Sequence, residues 1–302
     1  MIHVSLKRRQ QIWAYTFLLI PLAFFLFIRI SPTLFAFNMS LRDWNPLAST
    51  QPFVGLDNFK KIAGELANPK SVTRKAFQNT LIYVLLGVPS QMILALAVAL
   101  MLSYIRRFVD FFRAVYFIPF VTSTVAIAWV WRWLYQPQFG PINLLLSAFH
   151  LSQQPFLKSP SQALPSIAVV AVWQGIGFAI VIFLAGLHQI PEVYYEAARI
   201  DGAGRWALFR NITIPLLNPT IVYLAVLQTI SFLRMFAQVL NMTTQGDGGP
   251  LNSTTTVVLR VYREAFGSLN MGFAAALTVV LFVIILGVTI VQLRFLSRRF
   301  EY

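Results

Sequence analysis

Six residues stand out because their side chains can bind a polar solute from within otherwise apolar stretches. Glutamine and serine both donate and accept hydrogen bonds with hydroxyl groups, and aromatic faces pack against the apolar faces of a sugar ring. Helical spacing puts residues 174 and 178 on one face, and residues 228, 231 and 235 on another. This chemistry suits a neutral polyhydroxylated solute, while hydrogen bonding between helices is the alternative. The six are Gln174, Phe178, Gln228, Ser231, Phe232 and Met235.

Arg234 lies inside the same stretch and carries a charge. A charged side chain at the membrane centre costs about 2.5–3.5 kcal/mol, so Arg234 must lie near an interface or face a water-filled path. It could pair with an anionic group of a substrate or mark the outer boundary of its span, and the boundary is favoured. Thr122, Ser123 and Thr124 suit contacts between helices at least as well as contacts with a solute.

The residues needed for several other chemistries are missing. The chain has no cysteine, and His3, His150 and His188 lie far apart in sequence, so a metal site is not expected. No P-loop sequence occurs, which excludes nucleotide binding of that type. The apolar stretches also lack the acidic residues on which proton relays depend. If the chain transports a solute, the energy must therefore come from another chain.

The composition indicates an all-α integral membrane protein. Of the 302 residues, 57% are hydrophobic and 11% are charged, whereas about 25% are charged in a typical soluble domain. The mean hydropathy of +0.67 agrees and excludes a soluble enzyme. The net charge of +14 is attributed to basic residues that set membrane topology, so nucleic acid is not expected as a partner. Six stretches are predicted to span the membrane: 12–37, 80–102, 114–131 (with a helix that continues past Arg132), 165–187, 216–233 and 271–293.

The basic residues also predict an orientation. Lys7, Arg8 and Arg9 precede the first span, which places the amino terminus in the cytoplasm. Lys and Arg are then about twice as dense in the inner segments as in the outer loops. The apolar core of the first span exceeds the roughly 7–15 residues of a signal peptide, so this helix is expected to be retained. The inner segments are 1–11, 103–113, 188–215 and 294–302.

The chain is predicted to have two parts. Residues 1–76 form the amino-terminal tail, the first transmembrane helix and an outer loop. Residues 77–302 form a five-helix core that carries the cytoplasmic loop 188–215.

The loop 188–215 predicts two short helices joined by a turn. Pro191 suits a first helical position, and Glu192 favours a helix amino terminus. Gly202 and Gly204 provide a stop, because glycine tolerates left-handed backbone angles. A second helix is expected from Arg205 to about residue 211.

Two faces of this loop could contact a partner. Trp206 and Phe209 are three residues apart and share one face of the second helix. Ala197 and Ala198 leave room for a close-packed partner, and Glu196 offers a charge to a basic group. A solvated amphipathic connector is the alternative, and these residues alone do not decide between the two.

The spacing within the loop resembles a known motif. Glu196-Ala197-Ala198 is followed after three residues by Gly202, and after nine more by Ile212-Thr213-Ile214-Pro215. This is similar to the EAA loop of ABC importer permeases, within the carbohydrate-type group that contains the maltose and glycerol-phosphate permeases. Ile214 stands where leucine is usual. Three other stretches also resemble that family: Phe53–Phe59, Phe112–Pro119 and Asn241–Thr256.

The resemblance implies the type I importer permease fold and a role in sugar import, without catalytic activity of its own. The partners would be a second permease, giving a heterodimer, two cytoplasmic ATPase subunits that hold ATP and Mg²⁺, and an extracytoplasmic binding protein. The chain itself would bind no cofactor and would lie in a prokaryotic inner membrane, surrounded by lipid, with both termini cytoplasmic.

The resemblance also assigns residues. In that family the EAA helix docks into a cleft on the ATPase, and the sugar contacts fall on the fourth and fifth spans, which favours the six residues named first. Outside the membrane, a short amphipathic helix at Ile142–Phe149 and the loop Asn241–Thr256 are the expected platform for a binding protein. The implied coupling residues are Glu196, Ala197, Ala198, Asp201 and Gly202.

Overall fold

A computed structural model of the chain describes residues 6–103 and 109–296. Over these residues the fold is helical, and the β-structure is an isolated bridge between Arg42 and Phe53. The prediction of an all-α protein is therefore confirmed. The predicted inner segments at 1–11, 103–113 and 294–302 lie partly outside the described residues. The helices are α1 (Leu6–Phe25), α2 (Ser31–Ser40), α3 (Asp57–Ala67), α4 (Val72–Ser103), α5 (Val109–Val121), α6 (Thr124–Leu134), α7 (Pro141–Ala148), α8 (Ala163–His188), α9 (Glu192–Ile200), α10 (Arg205–Leu208), α11 (Ile214–Leu216), α12 (Asn218–Leu233), α13 (Ala237–Met242), α14 (Val257–Tyr262) and α15 (Met271–Leu296).

Four helical segments in the described part of the chain are long and apolar enough to cross a membrane. They are Leu6–Ser40, Val72–Ser103, Ala163–His188 and Met271–Leu296. A π-helical turn at Leu26–Ile30 joins α1 to α2 within the first of them, and Arg29 lies in this turn. Two bent helix pairs raise the number to six if each pair counts as one span. The predicted count of six corresponds to that upper limit.

The two remaining spans belong to bent helix pairs; the bend in the third was not predicted, whereas the bend of the fifth lies where the predicted span 216–233 begins. The third predicted span turns by 104° between Val121 and Thr124, so a continuous helix over 114–131 is wrong. Ser123 is extended there (φ −52°, ψ 125°), which ends α5 and begins α6. The predicted continuation past Arg132 is correct, because α6 runs to Leu134. The fifth span bends by 65° at residue 217, before Pro219 in the first turn of α12.

The described residues divide into two compact units. The first contains the chain up to Ala63 together with Val261–Val280. Within it, the side-chain nitrogen of Asn58 donates to the backbone oxygens of Ser40 and Arg42, at 2.9 Å each. Gly272 packs against the same segment, because a Cβ at residue 272 would lie 2.2 Å from the backbone oxygen of Arg42. Asn58 thus holds the stretch 53–59, which resembles the permease family in sequence, against residues 40–42.

The second unit contains Gly64–Arg260 and Leu281 onwards, and its core is built around α8. Helices α4, α5 and α12 pack against α8, and α12 also packs against α4. Small residues permit this close approach, as is common between helices in membranes. At Gly177 of α8, a Cβ would lie only 2.1 Å from the backbone oxygen of Tyr116 in α5. The apolar core around α8 includes three residues of this helix, Ile167, Ile180 and Phe183, each almost completely buried.

Candidate functional site

A cavity of about 590 Å³ lies within the second unit, between α4, α8 and the end of α12. Five of the six residues proposed to contact a solute line it, one from α8 and the other four from the end of α12 and the residues that follow it. A cavity of this size can hold a small sugar, since ligand pockets are typically about 300–1,000 Å³. The five are Gln174, Gln228, Ser231, Phe232 and Met235.

Gln174 is held by hydrogen bonds at both ends of its amide. Its nitrogen donates to the hydroxyl of Thr124 at 2.9 Å, and its oxygen accepts from the side-chain nitrogen of Gln238 at 3.2 Å. The network ties α8 to α6 and α13 and keeps the amide at the cavity wall. Thr124 makes a contact between helices here and also lines the cavity, so its position agrees with both of its predicted roles. In contrast, Gln228 and Ser231 have no side-chain hydrogen-bond partner among the described residues.

The aromatic residues occupy two different positions. Phe232 is 3% exposed, and its ring lies over Gly87 of α4, where a Cβ would come within 2.1 Å of a ring carbon. Its ring therefore lines the cavity while it closes the gap between α12 and α4. Phe178 was predicted to contact the solute, but it is not among the residues that line the cavity. It stacks instead on Phe120, with ring centroids 5.2 Å apart, and Phe120 is in the lining.

Several lining residues were not singled out from the sequence. Gln91 on α4, Phe120 on α5 and Gln238 on α13 all face the cavity. Gln91 lies within an apolar stretch, just as Gln174 does, so its polarity was a usable signal. Arg234 also lines the cavity, at the end of α12, and its side chain is exposed. Arg234 is thus at once the boundary of its helix and a charge at the cavity.

The loop 188–215 folds as two helices with a turn between them, as predicted. Pro191 precedes α9 as its amino-terminal cap, one position earlier than expected, because its backbone is extended (ψ 132°). The helix ends in a Schellman motif, in which the Ala203 nitrogen donates to the Ala198 oxygen at 2.8 Å and the Gly202 nitrogen to the Arg199 oxygen at 3.0 Å. Gly202 has φ +80°, the left-handed angle that this motif requires.

The residues proposed to meet the ATPase lie on the accessible part of this loop. Glu196, Ala197, Asp201 and Gly202 are exposed, and Ala198 is half-buried. The hydroxyl groups of Tyr195 and Thr213 are 3.0 Å apart and tie α9 to the π-helical turn Phe209–Thr213, which takes the place of the end of the second predicted helix. The loop therefore exposes the short helix α9, which the Tyr195–Thr213 contact holds against the rest of the loop.

Trp206 and Phe209 share a face as predicted, with ring centroids 5.5 Å apart. Trp206 is 69% exposed, so this aromatic pair is available to a partner or to lipid. Arg199 pairs with Glu192 of the same helix, α9, at 3.2 Å, but both side chains are mostly exposed and such a pair contributes little stability.

The loop Asn241–Thr256 is anchored to α4 through Asn79. The side-chain nitrogen of Asn79 donates to the backbone oxygens of Asn252 and Thr255, at 3.0 Å each. Thr254, Thr255 and Thr256 are fully buried, whereas Leu251 is 77% exposed at a positive φ of 54°. The loop thus has a fixed base and an exposed tip. The short helix expected at 142–149 is present as α7.

A comparison with known protein families identifies the chain. A model of the family described as binding-protein-dependent transport system inner membrane component matches residues 62–301. The chain belongs to this family. The expected importer permease subunit is therefore confirmed at the level of the family.

Relatives of this permease are found in archaea and bacteria. A probable ABC transporter permease protein of Pyrococcus horikoshii is 34% identical over 258 residues, which cover 83% of the chain and 84% of the relative. The sn-glycerol-3-phosphate transport system permease protein UgpA of Pectobacterium atrosepticum is 29% identical over 286 residues, 94% of the chain and 92% of the relative.

A solved structure supports the fold of the permease. It is a bacterial alginate ABC transporter in complex with an alginate pentasaccharide-bound periplasmic protein. The TM-score is 0.80 at 22% identity, and the match covers 95% of this permease and 94% of that chain. The predicted importer permease fold is confirmed by this match.

Proposed function

We propose that this permease carries a sugar or sugar-like solute across the inner membrane, driven by ATP hydrolysis on partner subunits. The observation that supports it most is that five residues chosen for sugar chemistry line one cavity. The names of the relatives, which refer to glycerol phosphate and to alginate, agree with a polyhydroxylated solute.

The solute contacts are Gln174, Gln228 and Ser231 as hydrogen-bonding groups, with Phe232 and Met235 as apolar walls. Gln228 and Ser231 keep their side chains free for hydroxyl groups of the solute, while the bonded Gln174 amide supplies a rigid edge. Phe178 contributes indirectly, by supporting the Phe120 ring. Preorganised polar groups of this kind favour a matching solute, because little ordering is needed on binding.

Energy reaches the permease through loop 188–215. Two ATPase subunits hold ATP and Mg²⁺ and grip α9 around Glu196, Ala197 and Ala198, with Asp201 and Gly202 completing the contact. Closure of the ATPase pair moves this loop, and the attached helices α8 and α12 rotate the cavity between inward-facing and outward-facing states. The exposure of these residues and the rigid turn at Gly202 support this role.

The remaining partners are proposed from the resemblance to the family. An extracytoplasmic binding protein delivers the solute to the loop Asn241–Thr256 and to α7, and a second, different permease completes the membrane part. Both termini are cytoplasmic in this arrangement.

The Gln228→Met substitution is expected to lower solute uptake about tenfold, because it keeps the side-chain volume but removes one hydrogen bond. Uptake is measured in proteoliposomes that contain the permease with its partners. Tyr223→Phe is the control, because Tyr223 lies on the same helix with its side chain half exposed, away from the cavity. Equal uptake by the Gln228→Met and Tyr223→Phe proteins would contradict the proposed contact.

The proposed function is tested by the ATPase activity of the purified complex. The binding protein is loaded in turn with maltose, sn-glycerol 3-phosphate and an alginate oligosaccharide, which include neutral and anionic solutes because Arg234 faces the cavity. Stimulation by at least one loaded form is expected. If no sugar or sugar phosphate stimulates hydrolysis while an amino acid or a peptide does, the proposed solute class is wrong.

A further inference from the structure

Gln91 is a buried polar residue on α4, a helix to which no solute contact has been assigned so far. Its side chain is 1% exposed, and it contributes to the same cavity as Gln228 and Ser231. The amide end reaches across to Gly175 of α8, where a Cβ would lie 2.6 Å from the amide nitrogen. Residue 175, which also lines the cavity, must therefore be small for the Gln91 amide to fit against α8.

The amide nitrogen of Gln91 has no hydrogen-bond acceptor among the described residues. This separates it from Gln174, whose amide is bonded at both ends to Thr124 and Gln238. A buried donor without an acceptor is costly, and native proteins rarely keep one unless a ligand or water pairs with it. Gln91 thus differs from Gln174 in that its amide nitrogen is a donor without an acceptor.

We propose that Gln91 is a solute-binding residue whose amide nitrogen donates a hydrogen bond to an oxygen of the transported sugar. This inference rests on the proposed function, because it assigns the donor to the solute of the same cavity. The acceptor is a hydroxyl, ring or glycosidic oxygen. The cavity then contacts its solute from three helices, α4, α8 and α12.

A donor at this position also selects among solutes. A site built to hydrogen-bond one oxygen discriminates against an analogue that lacks it, because the buried donor is then left unpaired. Gln91 therefore reads one particular oxygen, and removal of that oxygen from the sugar has the same effect as removal of the amide from the protein.

The test uses the complete transporter in proteoliposomes, with Gln91→Met and Gln91→Glu. Both variants keep the length of the side chain and remove the amide donor. Ser90→Ala is the matched control, because the neighbouring Ser90 is exposed and its hydroxyl is bonded to the Leu86 oxygen at 2.6 Å. The probe is whichever of radiolabelled maltose, sn-glycerol 3-phosphate and an alginate trisaccharide the wild-type complex accumulates, together with its singly deoxygenated analogues. Size-exclusion profiles verify assembly of each variant.

Gln91→Met is expected to slow uptake of the parent solute about tenfold, while Ser90→Ala leaves it unchanged. One deoxygenated analogue is expected to be slow with the wild-type protein and to be slowed no further by Gln91→Met. Uptake that is unchanged in both Gln91 variants, or reduced equally for every analogue, would overturn the inference. If no sugar or sugar phosphate stimulates the ATPase of the wild-type complex while an amino acid or a peptide does, the proposed function fails first.

Discussion

The Gly202→Val transporter is expected to assemble normally and to accumulate solute about 5- to 150-fold more slowly, since an L-residue forced into this backbone region is strained by about 1–3 kcal/mol. Gly202 has φ +80°, and a β-branched residue strongly disfavours that angle. Nothing lies within 4 Å of the site of an added Cβ, so the effect comes from the backbone and not from a clash. The valine removes the Schellman turn and displaces α9 from the surface that the ATPase grips.

The matched control is the same substitution two residues later. Gly204 also has open space around it, but its φ of −75° and ψ of 169° are allowed for any residue. Gly204→Val should therefore transport at close to the wild-type rate. Uptake and ATPase activity are measured on the same preparations, and basal ATPase activity should persist in both. If Gly202→Val transports as well as Gly204→Val, the turn has no part in coupling.

The Gly177→Ala permease is expected to lose stability in the membrane part itself. A Cβ at this position would lie 2.1 Å from the Tyr116 backbone oxygen, and backbone cannot move aside as a flexible side chain can. Overpacking of this kind costs about 3 kcal/mol, so the thermal midpoint of the detergent-solubilised protein should fall by roughly 6–12 °C. The contact that opens is the one between α5 and α8.

Gly287→Ala is the control for this experiment. Gly287 lies in the apolar helix α15, and an added Cβ there meets nothing within 4 Å. Alanine is a better helix former than glycine, so this variant should melt at or slightly above the wild-type temperature. Equal midpoints for Gly177→Ala and Gly287→Ala would show that α5 and α8 do not depend on this close approach.

The helices that cross the membrane in one piece could be predicted from the sequence, whereas the bend at Ser123 could not. In lipid the backbone must satisfy its own hydrogen bonds, so a long apolar stretch becomes a helix almost regardless of detail. Bends depend on neighbours: Pro21 and Pro89 lie inside helices that continue past them, while the chain breaks at Ser123 and Leu217. Proline alone therefore does not mark the break.

The candidate site was only partly visible in the sequence for a related reason. Polarity within an apolar stretch identified Gln174 and Gln228, because a buried amide needs a partner. The same signal is present at Gln91, but the sequence does not tell which helix of a bundle faces a cavity. Phe178 shows the converse, because it has suitable chemistry on a suitable helix and yet stacks on Phe120 beside the cavity. Relative rotation of the helices, which packing decides, separates these cases.

The dependence of this permease on an external motor can be measured by reconstituting it in two kinds of proteoliposome. One kind contains the permease pair with the ATPase subunits and enclosed ATP, and the other contains the permease pair alone. With loaded binding protein outside, only the first kind should accumulate solute against its gradient, and accumulation should stop when a non-hydrolysable nucleotide replaces ATP. Uphill accumulation in vesicles without the ATPase subunits would mean that the chain has an energy source of its own.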